Sequence, residues 1–406
     1  MPRIAAGEEE TAPGTLSYRP VLLAVAVATA GILPPFLIGG LAVQIRAELG
    51  FGAGALGLLV AIFFGFSALF SVVSGRVVER IGSSRGMRLS ALTGACTMVA
   101  VAVLAGSWWG LAACLVFAGL GNAVSHPSTH LLLAREVPSD RQGLAFGIKQ
   151  AAIPTATLLA GLAVPTLAVT AGWRWAFAAG AVLALVVALL VPGRGENGAG
   201  DGARHVREAR AGDAPLAALV LLALGVGLGS MAATPLGTFV VESTVAAGIE
   251  VGAAGLLLAL GGAVSIVVRV VFGRLADGMG GGRLFLVAGM LVVGTAGFAL
   301  LASDAPAFMV VGVVLAFGAG WGWPGLFNFT VVKSSPKAPA AATGITQTGA
   351  SGGAALGPLA FGLVVEASSY GVAWISSGAV ALIAAAAILA GRRMLLRARA
   401  EGKPER

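Results

Sequence analysis

Charge is scarce in this chain. Only 11% of its 406 residues are Asp, Glu, Lys or Arg, against 57% hydrophobic, and the mean hydropathy is +0.93. No soluble fold could hide so much apolar surface, so a bilayer is the solvent that the composition demands. Cysteine is scarcer still: Cys96 and Cys114 are the only two, both inside apolar runs. That excludes a disulfide framework and a cysteine metal cluster. A Gly-x-x-x-x-Gly-Lys-[Ser/Thr] phosphate loop is missing, so the chain does not hydrolyse ATP itself. No carboxylate falls at the middle of an apolar run, Glu242 and Glu366 standing near run ends. The net charge of +8 does not call for nucleic acid, because the basic residues are scattered through short loops. Membrane lipid headgroups are the expected partner for them.

What is present is long apolar segments and 61 glycines. Glycine and alanine let helices pack closely within lipid. Windows long enough to span a bilayer start near Pro20, Ala55, Met87, Trp109, Gly143 and Trp175, then near Ala214, Val251, Leu284, Pro306, Ala341 and Gly371. The expected fold is therefore all-α and integral to the membrane, with twelve transmembrane helices, their ends placed to about four residues. The expected domains are an N-terminal tail over 1–19, a six-helix bundle over 20–192, a linker over 193–213, a second bundle over 214–391 and a basic tail over 392–406. The polar start, with Glu8, Glu9 and Glu10, lacks the basic region of a cleaved signal peptide. Arg46 and Arg174 are the only basic residues in the odd-to-even loops. The positive-inside rule then puts both termini in the cytoplasm.

One stretch occurs twice, half a chain apart. Gly75, Glu79, Arg80, Gly82 and Arg85 in the first copy match Gly273, Asp277, Gly280 and Arg283 in the second. Glycine permits close backbone approach, an acid beside it can cap a facing helix, and the arginines hold the loop at the anionic side of a membrane. Pro127 with Pro324, and Gln150 with Gln347, repeat at nearly the same offset. The duplicated loop resembles that between the second and third helices of the major facilitator superfamily (MFS), and its echo between the eighth and ninth. Glu79 stands where that family usually has Asp, and Gly278 where it usually has a basic residue. The resemblance implies two pseudo-symmetric six-helix bundles with a central substrate site opened alternately to each side, a plasma membrane location in a bacterium (the inner membrane), and a monomer. The Trp-rich segment from Gly172 to Phe177 is also similar to one common in the family, and its tryptophans, with Trp108 and Trp109, read as headgroup anchors.

Ionisable side chains at membrane depth are costly and therefore candidates for function. Lys149 follows the turn into the fifth helix, beside Gln150, whose repeat partner is Gln347. Arg269 stands one turn before Gly273. Either cation could instead snorkel to the headgroups. His126 and His130 share one face of the fourth helix, at a depth close to Lys149, and the lack of a nearby acid or thiol argues against a metal. Asn328 completes the candidate substrate-binding set. The spacing Arg269-x-x-x-Gly273-x-x-x-Asp277 resembles that of monocarboxylate and oxalate carriers, in which the corresponding arginine contacts the substrate carboxylate. Proline and glycine runs at Leu33–Pro35, 318–325 and 349–362 mark expected bends.

These features point to a secondary active transporter of a small organic anion, without a cofactor. Protons travel on the substrate, on a histidine, or not at all, which leaves symport, uniport and exchange open. A proton-coupled drug or metabolite efflux antiporter is the alternative, although the fourth-helix Arg and fifth-helix Gly-Pro signatures of drug/proton antiporters are missing. A membrane-embedded enzyme built on His126-Pro-Ser128-Thr-His130 would lack an acid to orient its base. A transporter-like sensor would bind without moving substrate.

Overall fold

A computed structural model describes residues 18–138, 142–193, 214–278, 282–303, 305–335 and 339–401. In lipid every backbone N–H and C=O must be satisfied within the chain, so the apolar runs become helices. Six spans form the first half: Tyr18–Gly40, Ala53–Ile81, Ser83–Leu104, Trp108–Glu136, Gly147–Ala171 and Trp173–Leu190. Six form the second: Leu216–Ala246, Val251–Leu275, Arg283–Leu301, Pro306–Ser334, Ala341–Ala367 and Tyr370–Ala398. Every expected start falls within about four residues of the observed one. The tail before Tyr18 and nearly all of the linker 193–213 lie outside the described residues. The last helix continues through Glu401, so Arg392, Arg393 and Arg397 ride on its final turns rather than on a separate tail.

The halves meet mainly through three helix pairs, first with seventh, second with eleventh and fifth with eighth, with a smaller contact between the fifth and the tenth. Small residues let them touch backbone to backbone. A Cβ added at Gly57 would lie 2.1 Å from Pro358 O, and one at Gly161 2.4 Å from Ala259 N. These contacts gather toward the face that carries Arg46 and Arg174, the Arg46 face. Toward the opposite face, which carries the duplicated loops, a Cβ at Gly65, Gly75 or Gly344 would meet nothing within 4 Å. The halves are thus sealed at the Arg46 face.

The expected bends are realised unevenly. The tenth span is interrupted by a π-helical turn, Ala316–Gly320, before it restarts at Pro324. The eleventh runs unbroken from Pro339 to Ala367. Gly349, Gly353, Gly357 and Gly362 serve packing there: a Cβ at Gly353 would lie 1.9 Å from Gly227 O of the seventh span. Pro34, Pro35 and Pro127 sit inside continuous helices. The fifth span breaks where no break was expected. The helix Gln142–Lys149 stops, Gln150 and Ala151 form a turn, and the helix resumes at Ala152.

Candidate functional site

Pro154 causes the break in the fifth span. A proline has no N–H, so the carbonyl four residues earlier, that of Gln150, loses its helical partner. Arg269 of the eighth span supplies one instead, donating from Nη1 to Gln150 O at 2.5 Å. The break in the tenth span offers a second acceptor. Arg269 Nη2 donates to Trp321 O at 2.8 Å, while Trp323 Nε1 donates to Gly320 O at 2.8 Å, the carbonyl that Pro324 leaves without a partner. Arg269 is 6% exposed and bridges two irregular turns, one in each half. It does not snorkel. Its Nε is buried and has no hydrogen-bond partner among the described residues.

Lys149 closes the short helix on the near side of the same break and is 3% exposed. Its Nζ lies 3.3 Å from His126 Nδ1 of the fourth span. The His126 and His130 rings stand edge to face, with centroids 6.3 Å apart. Lys149, Gln150, His126 and Arg269 thus form one group across the halves, its two cations buried and His126 and Gln150 half-buried, and no described carboxylate pairs with either cation. Phe36 of the first span lies against Trp321, with ring centroids 5.9 Å apart, between this group and the seventh span. Asn328 is half-buried on the tenth span and Gln347 exposed on the eleventh. Neither is hydrogen-bonded to the group, so Gln347, the repeat partner of Gln150, stands apart from it in this conformation. No group of three or more His, Cys, Asp or Glu that could hold a metal occurs among the described residues.

The duplicated loops differ from expectation. Gly75 and Gly273 meet no neighbouring backbone, a Cβ at either finding nothing within 4 Å. Glu79, Arg80 and Arg85 are exposed. Gly82 acts through its own backbone, whose φ of +85° favours glycine before the third span. At the start of the ninth span the positive φ belongs to Gly282, at +81°. Gly280 and the Asp277 side chain lie outside the described residues. The Arg283 guanidinium sits 5.2 Å over the Phe329 ring.

Capping across the halves does occur, but at the Arg46 face. Glu366 Oε1 accepts from Gly54 N at 2.9 Å and so caps the second span from the eleventh. Beside it, Arg46 Nη1 meets Glu242 Oε1 at 2.7 Å, and the Tyr370 hydroxyl donates to Glu242 Oε2 at 3.2 Å. Burial acts to lower the Arg46 pKa, but the Glu242 and Tyr370 contacts outweigh it and hold the guanidinium above its usual value. The legible clue to this pair was a span-end acid opposite one of the two lone basic residues of that face. Trp173, expected as a headgroup anchor, is instead buried and donates to Glu48 at 2.7 Å. Trp109 and Trp175 are exposed as anchors should be.

The family model described as Major Facilitator Superfamily matches residues 21–208 and 219–405. A chloramphenicol resistance protein of Streptomyces lividans is 30% identical over 83% of this chain and 86% of its own length. A candidate tartrate transporter of Agrobacterium vitis is 26% identical over 81% of this chain and 79% of its own. The crystal structure of a bacterial homologue of the human lysosomal transporter Spinster, inward-facing and occupied, superposes with a TM-score of 0.75. It covers 95% of this chain and 99% of that one at 17% identity, a likeness of fold.

Proposed function

Because the chain belongs to the major facilitator superfamily and is a multi-pass transporter rather than an enzyme, we propose that it moves a small organic anion, a carboxylate by preference. The observation that carries this reading is the pair of buried cations without a carboxylate, Lys149 and Arg269. A buried guanidinium with an unpartnered Nε–H favours an incoming acceptor, and an anion between the two cations would give each a partner. Such a site repels cations. The resemblance to a candidate tartrate transporter is consistent with it.

In this reading Lys149 and Arg269 hold the carboxylate, and Gln150, His126 and His130 line the approach. Gln347 and Asn328 swing in when the halves rock, as alternating access requires. The loops from Gly75 to Arg85 and from Gly273 to Arg283 lie in the cytoplasm of a bacterial inner-membrane protein with both termini inside, and they close against the facing half in the alternate state. The chain works as a monomer.

The second reading, drug efflux by proton antiport, rests on the chloramphenicol resistance relative and on an efflux pump of Mycolicibacterium smegmatis, 31% identical over 41% of this chain. Proteoliposomes assayed for uptake and efflux of a panel of small carboxylates and of chloramphenicol, with and without a pH gradient, separate the two. Carboxylate movement alone supports the anion reading, and chloramphenicol movement alone the efflux reading.

A further inference from the structure

Outside the Lys149 group, Glu242 stands out because it is a buried carboxylate placed between moving parts. Of the two described ion pairs at the Arg46 face, Arg174 with Glu48 lies within the first half. Arg46 with Glu242 joins the halves, from the short helix Ala42–Leu49 to the seventh span. The Glu242 side chain is only 5% exposed. It nevertheless borders a recess of about 400 Å³ lined by Val43, Arg46, Phe51, Glu242, Val245 and Tyr370, through which water reaches the pair.

We propose that Glu242 is a proton-binding site that controls opening of the Arg46 face. The charged carboxylate holds Arg46 at 2.7 Å and accepts from Tyr370. Arg46 is in turn anchored to its own half by donating from Nε to Phe51 O at 2.9 Å. A proton from the recess binds one carboxylate oxygen and removes the charge. Arg46 is then a cation without a counter-ion, and parting the halves returns it to water. Loss of the proton remakes the pair and seals the face.

Every other described acid on the Arg46 face is engaged elsewhere, and the remaining charges of the packed spans stand toward the opposite face. Glu48 accepts from Trp173 and Arg174. Glu250 accepts from Gly252 and Ala253 at the start of its own helix. Glu366 caps Gly54. Glu366 also ties the halves, but it is exposed and pairs with no cation, so loss of its charge leaves no half-buried cation without a counter-ion.

Two spin labels test the proposal, at Ser107→Cys in the first half and Ser369→Cys in the second, in a Cys96→Ala, Cys114→Ala background. Both sites are exposed on the Arg46 face, and in detergent both faces see one pH. The label–label distance is measured by pulsed electron resonance across the acid range. Wild type is expected to hold a short distance at neutral pH and to gain a longer one several-fold as pH falls. Glu242→Gln is expected to show the longer distance already at neutral pH, with no further response. Tyr370→Phe removes a donor to the charged form and is expected to move the midpoint to higher pH. Glu366→Gln keeps a wild-type midpoint. A distance that ignores pH in wild type, a response surviving in Glu242→Gln or lost in Glu366→Gln, or a Tyr370→Phe midpoint unmoved or lowered would overturn the proposal.

Discussion

Arg269 Nη1 donates at 2.5 Å to the carbonyl of Gln150, an acceptor that is open because Pro154 follows four residues later. The eighth span of one half is thereby fastened to a defect in the fifth span of the other. Pro154→Ala restores the missing N–H and makes the helix compete for that carbonyl. The expected outcome is a more stable protein in detergent with a transport rate lowered about tenfold, since a hydrogen bond to a charged group is worth roughly 1.5–3 kcal/mol. Melting temperature and proteoliposome flux measure the two effects, and a variant with unchanged flux would remove the break from the mechanism.

Gly353 sets the distance between the seventh and eleventh spans. A methyl group there meets Gly227 O at 1.9 Å, and a backbone cannot yield as a flexible side chain can. Gly353→Ala is expected to cost about 1–3 kcal/mol, read as a lower melting temperature. Gly75→Ala, which meets nothing within 4 Å, is the matched control and should melt like wild type.

Glu48 carries a pH dependence whose sign is fixed by its partners. The Trp173 indole first, and then Arg174, hold its carboxyl below the usual carboxylate range, against a small opposing effect of burial. A group lowered on folding contributes stability above its unfolded pKa and loses that contribution as pH falls through the folded value. The melting temperature of wild type should therefore exceed that of Glu48→Gln at neutral pH and converge with it below about pH 4. The difference will be modest, because the side chain is 45% exposed and water screens the pair.

Orientation is tested by chemistry from one side. In intact cells without native cysteines, Ser107→Cys should react with an impermeant thiol reagent and Glu79→Cys should not. Both positions are exposed in the structure. The reverse pattern would turn the whole chain over.

The twelve spans were legible because length and hydropathy decide them, and the duplicated loop revealed two halves. The group of Lys149, His126, Gln150 and Arg269 was legible as residue types at one depth. Its geometry was not. Gln150 was singled out for its side-chain amide, whereas the observed contact uses its carbonyl, exposed by a proline whose effect sequence reading placed in other helices. The glycine run of the eleventh span read equally as bend or close packing, and Gly349, Gly353, Gly357 and Gly362 are packing positions, a choice that depends on which helix lies opposite. The inter-half pair of Arg46 with Glu242 joins residues 196 apart in sequence, a separation that no local pattern encodes.

The central claim is that the buried cations grip a carboxylate, and small-carboxylate counterflow in proteoliposomes tests it most directly. Wild type should exchange labelled for unlabelled carboxylate with at least one member of a panel of small carboxylates. Arg269→Lys should lose at least about tenfold of that exchange, because one ammonium cannot reproduce a planar fork that spans two carbonyls and an anion. Lys149→Gln should lose a similar amount. Exchange by Arg269→Lys at the wild-type rate, or full-rate chloramphenicol movement by Arg269→Ala with no anion exchanged by wild type, would contradict the account.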